Sequence, residues 1–131
     1  MTLIAQMLRC TSPLNGDELK PMPDDTQREQ APLSLADLQE LIRTMYSSKD
    51  EARGVDGTFM WLMEEVGELA AALREGTPQQ MAEEFADVLA WLATIANVAG
   101  IDLDQAVRDK YGQGCPGCGQ FVCRCDLNEK P

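Results

Sequence analysis

Residues 58–98 read TFMWLMEEVGELAAALREGTPQQMAEEFADVLAWLATIANV, and the fold turns on this stretch. On either side of the central GTPQQ, apolar residues recur at helical spacing: Leu62, Val66, Leu69 and Leu73 before it, Met81, Phe85, Val88, Leu92 and Ile95 after it. Gly76 is expected to end the first helix in the left-handed conformation. Thr77-Pro78-Gln79-Gln80 then reads as a capping box, with Thr77 as N-cap, Pro78 at the first helical position and Gln80 reaching back. So short a connection makes the two helices antiparallel neighbours.

Each helix carries a pair of carboxylates three residues apart, Glu65 and Glu68 on the first, Glu84 and Asp87 on the second. Glu68 precedes Gly76 by eight residues and Glu84 follows Thr77 by seven, so both sit roughly 10–12 Å from the turn. By the same count Glu65 falls level with Asp87. At about 100° per residue, Glu65 and Glu68 lie on the shoulder of the apolar arc beside Trp61 and Ala72. Glu84 falls inside its arc and Asp87 at the edge, whereas Glu64 and Glu83 point away. The plain alternative is that all six acids coat an exposed face. Glu84 argues against it, because an unpaired carboxylate among apolar side chains is costly. The four acids are therefore read as one metal site.

With those residues in view, the chain resembles the MazG-like nucleotide pyrophosphohydrolases of the all-α nucleoside triphosphate pyrophosphatase superfamily. That signature is Glu-x-x-Glu on one helix and Glu-x-x-Asp on the next, here Glu65-Val66-Gly67-Glu68 and Glu84-Phe85-Ala86-Asp87. The flanking words WLMEEVGELAAAL, EEFADVLAWLATIAN and GIDLDQAV are similar to the family too, so the resemblance runs from about Leu35 to Tyr111. It implies Mg²⁺-dependent hydrolysis of a nucleoside triphosphate to the monophosphate and pyrophosphate, with Mn²⁺ as a substitute ion and a house-cleaning role. It also implies that Asn97, Lys110 and Tyr111 lie where relatives place nucleotide contacts. Relatives pair subunits into four-helix bundles, so a homodimer or homotetramer is expected. Two alternatives stay open: a phosphoribosyl-ATP pyrophosphohydrolase, and a non-catalytic helical assembly module.

Composition is compatible with this chemistry. The 131 residues support one all-α domain with a modest core. Net charge is −11, which disfavours nucleic acid and anionic membranes as partners and would repel a polyphosphate unless cations intervened. Four converging carboxylates raise one another's pKa, and Mg²⁺ relieves both problems by taking carboxylate and phosphate oxygens together. The chain has no histidine, which removes Ser-His and Cys-His nucleophilic schemes and His-ligated zinc.

The remaining segments are read in order. Residues 1–33 form a mobile or partly helical arm, its MTLIAQMLRC opening being neither a signal peptide nor a membrane span, and a cytoplasmic setting is expected. Residues 34–112 form the helical domain. Ser34 with Asp37 starts a helix through Leu35, Leu38, Leu41, Ile42 and Met45 to about Ser47. Ser48 to Thr58, with Gly54 and Gly57, is expected to be a loop whose Lys49 and Arg53, like Arg43, either reach a phosphate or simply solubilise the surface. Trp61, on the face of Glu65 and Glu68, either stacks on a base or caps the core. Gly100 is a second C-cap, and Asp102 to Gln105 a second capping box leading to a last helix.

Residues 113–131 are a Cys-rich tail. Cys115, Cys118, Cys123 and Cys125 offer four soft ligands suited to tetrahedral Zn²⁺, with free thiols or a disulfide as the alternatives. Stability or assembly, rather than catalysis, is the role expected of the tail.

Overall fold

A computed structural model describes residues 32–126, and the arm placed at residues 1–33 lies almost wholly outside them, as does Cys10. The described chain is all-helical: α1 (Leu35–Glu75), α2 (Pro78–Ala99) and α3 (Leu103–Tyr111). Among the described residues no single helix is long and apolar enough to cross a membrane.

Helix α1 starts at the predicted N-cap Ser34 and forms a full capping box there, in which the Ser34 hydroxyl accepts from the Asp37 amide (3.1 Å) and Asp37 accepts from the Ser34 amide (3.0 Å). The loop expected at Ser48–Thr58 is absent: the backbone stays helical throughout except at Gly54, where φ is 73° and ψ −179°. Only glycine takes that conformation without strain, so one residue does the work assigned to eleven. The Thr58 side chain, fully buried, donates to the Gly54 carbonyl (2.7 Å), which gives its hydroxyl a partner and braces the break. Gly57, read as a second loop residue, is ordinary helix.

The turn joining α1 to α2 is as short as predicted. Thr77 accepts from the Gln80 amide (3.3 Å), the Gln80 side chain accepts from the Thr77 amide (2.9 Å), and Pro78 opens the helix. Gly76 is not left-handed; it is extended (φ −83°, ψ 163°), because the N-cap of α2 follows at once and leaves no room for a separate reversal. Gly100 does take the left-handed conformation (φ 70°, ψ 29°). Asp102 caps α3 through the Gln105 amide, but the Gln105 side chain bonds Asp109 instead, so only half of the second box forms.

A polar clamp ties the start of α1 to the end of α2. Gln39, 4% exposed, donates to Asn97 (3.0 Å) and to the Ile101 carbonyl (2.9 Å) and accepts from the Leu103 amide (2.7 Å). Asn97 returns a bond to the Gln39 carbonyl (3.0 Å). With the second half of α1 also against α2, both halves of the kinked helix lean on one partner.

The inward faces differ from those expected. Among the described residues the buried apolar set is Ile42, Trp91, Ala93 and Ala96, while the buried polar set is Gln39, Asp50, Thr58, Glu65, Glu84 and Thr94. Val66, Leu73, Phe85 and Leu92, all assigned to core arcs, are exposed. The hairpin is rotated so that its acid- and tryptophan-bearing faces meet, which leaves Leu62, Leu69, Met81, Val88 and Ile95 of the apolar arcs half-buried and the other four exposed.

Candidate active site

Two tryptophans meet where α1 and α2 pack together. Trp61 and Trp91 stack with ring centroids 5.9 Å apart and planes 13° from parallel. One turn along, Glu65 on α1 comes level with Asp87 on α2, and Glu84 stands one turn from Asp87 on the same face. Carboxylate oxygens of Glu65, Glu84 and Asp87 lie within 4.8 Å of one another.

Burial and mutual repulsion dominate the electrostatics. Glu65 is 1% exposed, and both of its carboxylate oxygens are buried without a hydrogen-bond partner; one oxygen of Glu84 is in the same position. Desolvation, followed by the charges of Asp87, Glu68 and Glu84, pushes Glu65 up from 4.5 to about 7. The Trp91 indole N–H offsets part of this, although it stops short of hydrogen-bond geometry and is itself unpartnered. Burial, with Glu68 and Asp87 next, also raises Glu84, and burial, with Glu68 next, raises Asp87. Glu68 stands outside the close group of three and is half-buried, yet its charge bears on all of them. Glu64 and Glu83 are exposed, as their phase implied.

Three buried or half-buried acids, two of them with orphaned oxygens, suit a small, hard cation. A divalent ion accepts several carboxylate oxygens at once, supplies the missing partners of Glu65 and cancels the repulsion that adds to burial in raising the three pKa values. The residues present therefore fit a resident Mg²⁺ or Mn²⁺.

The other candidates are placed less centrally. One face of Trp61 is taken by Trp91, and the Arg53 guanidinium lies 5.0 Å from the centre of the Trp91 ring while bonding Asp50 (3.0 Å). Arg53 is thus anchored beside the tryptophans rather than held on a loop. The amide of Asn97 is engaged by Gln39 and also by Arg43 (2.9 Å), so its visible work is to join helices. Lys110 lies over the ring of Tyr111 (5.4 Å) at the exposed end of α3, and Lys49 is exposed on α1. The acidic group includes none of these.

Trp91 was legible and not singled out: it follows Asp87 by four and Glu84 by seven, which puts it on the acidic face. Asp50 had no such signal. It is 4% exposed, burial raises its pKa despite Arg53, and its second oxygen is unpartnered.

A second group of ligating atoms lies in the tail, where the sulfurs of Cys115, Cys118, Cys123 and Cys125 also come within 4.8 Å of one another. Backbone amides of Arg124 and Gln120 hold the Cys118 thiol down at about 6, and the neighbouring thiols push Cys125 up to about 12.

Comparison with known proteins accounts for the acidic pair of helices. The profile described as the MazG nucleotide pyrophosphohydrolase domain matches residues 53–118. The chain belongs to that family. It is an enzyme, a nucleotide pyrophosphohydrolase, which sets aside the non-catalytic assembly module. The match begins near the Gly54 break, later than the resemblance suggested, and ends on Cys118, inside the cysteine group. A dATP/dGTP diphosphohydrolase of Cyanophage S-2L is 35% identical over 79 residues, covering 60% of this chain and 71% of that protein.

Proposed function

We propose that this MazG-family enzyme hydrolyses nucleoside or deoxynucleoside triphosphates to the monophosphate and pyrophosphate, using Mg²⁺ held by Glu65, Glu84 and Asp87 with Glu68 beside them. The observation that carries this reading is Glu65, buried, with both oxygens unpartnered and two further carboxylates within 4.8 Å. A site so built is unfavourable empty and favourable around a cation. Bound Mg²⁺ supplies neutralisation of the triphosphate and of the charge that develops on it, and Mn²⁺ is the natural substitute. The chain itself contributes rigid positioning from two helices and a carboxylate that takes the proton of the attacking water. Trp61, half-buried beside the acids, is the aromatic surface available to a base.

The phage relative's named substrates support purine deoxynucleoside triphosphates as the first to try. Removal of unwanted nucleotides is the house-cleaning role that fits this activity. Glu68→Gln and Glu84→Gln should each reduce turnover by about 10²-fold or more while the helices stay folded. Wild-type rates in both variants, with unchanged circular dichroism, would overturn the site.

The enzyme works as a homodimer or homotetramer on this reading. Phe59, Met63, Val66 and Leu73 on α1, and Phe85, Leu89 and Leu92 on α2, form exposed apolar stripes at helical spacing. Stripes of this extent, with so few buried apolar residues among those described, support a bundle completed by a second copy. Light scattering should give at least a dimer at micromolar concentration, and Leu89→Glu should dissociate it. A monomeric wild-type chain would refute this.

A further inference from the structure

The tail holds its shape without a core. Among residues 112–126 no side chain is buried, and Phe121 and Val122 are 85% and 81% exposed. Hydrophobic burial cannot offset the conformational entropy of ordering such a segment. What converges instead is sulfur: Cys115 Sγ lies 3.8 Å from Cys125 Sγ and 3.4 Å from Cys123 Sγ, and Cys118 joins them within 4.8 Å. A tetrahedral site with metal–sulfur bonds of about 2.3 Å has sulfur–sulfur edges of about 3.8 Å.

The backbone is arranged around these sulfurs. The Cys115 amide donates to the Gln120 carbonyl (2.9 Å) and the Gly119 amide to the Cys115 carbonyl (2.7 Å), closing a tight turn over the first pair. Gly114 (φ 107°) and Gly119 (φ 68°) take positive-φ conformations that favour glycine, and a Cβ on Gly114 would sit 3.0 Å from the Gln120 backbone. Amides of Arg124 and Cys125 point at the sulfurs of Cys118 (3.5 Å) and Cys123 (3.4 Å). Amides aimed at sulfur stabilise thiolates, the ligand form, more than disulfides. The turn is also continuous with α3, since the Gly112 amide donates to Arg108 (2.8 Å) and that of Gly114 to Tyr111 (3.0 Å).

We propose that Cys115, Cys118, Cys123 and Cys125 bind one structural Zn²⁺, which folds the tail and fixes the end of α3. Four thiolates in a tetrahedral set select zinc over hard cations, so this centre is chemically separate from the carboxylates of Glu65, Glu84 and Asp87. The family match stops at Cys118 and so covers only half of the ligand set. Helix α3 has nine residues and no buried side chain, and is marginal without an anchor at its end. Zinc supplies that anchor.

The test uses the full chain purified without chelators, with metal content measured by plasma mass spectrometry. One zinc per chain, colourless protein and release by a mercurial thiol reagent are expected. Zinc should be lost in Cys118→Ser and retained in Cys10→Ser and in Glu84→Gln, whatever the last variant does to activity. Replacement by Co²⁺ should give the intense visible absorption of a tetrahedral thiolate site. Stripping zinc should open Lys110 and Arg124 to trypsin, and restoring it should protect them. Iron in place of zinc, a mass deficit of four hydrogens from two disulfides, or protein that carries no metal as purified and whose four tail thiols alkylate freely would each overturn the proposal.

Discussion

The buried carboxylates should make the metal-free protein lose stability as pH rises, and divalent cation should restore it. Glu65 moves from 4.5 to about 7 on folding, because burial and the charges of Asp87, Glu68 and Glu84 all oppose its ionisation. Below pH 4.5 it is protonated in both states and makes no difference. Between 4.5 and 7 the unfolded chain has released this proton and the folded chain still holds it, so stability falls with each increment of pH. Above 7 the penalty is complete and levels off. At 1.36 kcal/mol per pH unit, Glu65 alone accounts for about 3 kcal/mol. Glu84 and Asp87 are shifted in the same direction and add to it. The assay is urea denaturation at fixed chain concentration from pH 5 to 8.5, after dialysis free of Mg²⁺. Mg²⁺ should recover stability strongly at pH 8 and scarcely at pH 5, where protonated carboxyls do not bind it. Glu65→Gln should remove most of the slope and be more stable than wild type at pH 8 without Mg²⁺. Stability that stays flat or rises between pH 5 and 7, or an equal response to Mg²⁺ at both ends, would refute the reasoning.

Three further outcomes follow from the scaffold. Gly54→Ala forces alanine into φ 73°, ψ −179°, and should cost about 1–3 kcal/mol in denaturant titrations although there is space for the methyl group; a neutral result would mean that the break is not built around glycine. Gln39→Ala leaves the Asn97 side chain, the Ile101 carbonyl and the Leu103 amide short of a partner, and a loss of about 1–3 kcal/mol is expected by thermal unfolding. Trp91→Leu removes the stack on Trp61 and the indole beside Glu65, so it should raise the Mg²⁺ concentration needed for half-maximal rate, and an unchanged metal requirement would count against coupling of the tryptophans to the acids.

Local signals in the chain were readable because each depends on a few adjacent residues. The caps at Ser34, Thr77 and Gly100, the short turn at Thr77 and the spacing of Glu65, Glu84 and Asp87 are of this kind. The break at Gly54 reads as a loop in the sequence because Gly54 and Gly57 depress helix propensity, yet a single glycine dihedral can redirect a helix without unwinding it. The rotation of the hairpin was misread for another reason. Hydrophobic phase locates an apolar face but not what covers it, and here Val66, Leu73, Phe85 and Leu92 stay exposed on one chain while polar faces meet inside. The roles of Gln39 and Asn97 were hidden because their bonds span 58 residues of sequence.

The most direct measurement is the product analysis of purified enzyme with dATP, dGTP and the remaining nucleoside triphosphates in Mg²⁺, resolved by ion-exchange chromatography, with Glu68→Gln alongside. Monophosphate and pyrophosphate in equal amounts, from wild type and not from the variant, are the predicted result. Diphosphate with inorganic phosphate, or equal turnover by Glu68→Gln, would contradict the assignment of this bond and these carboxylates.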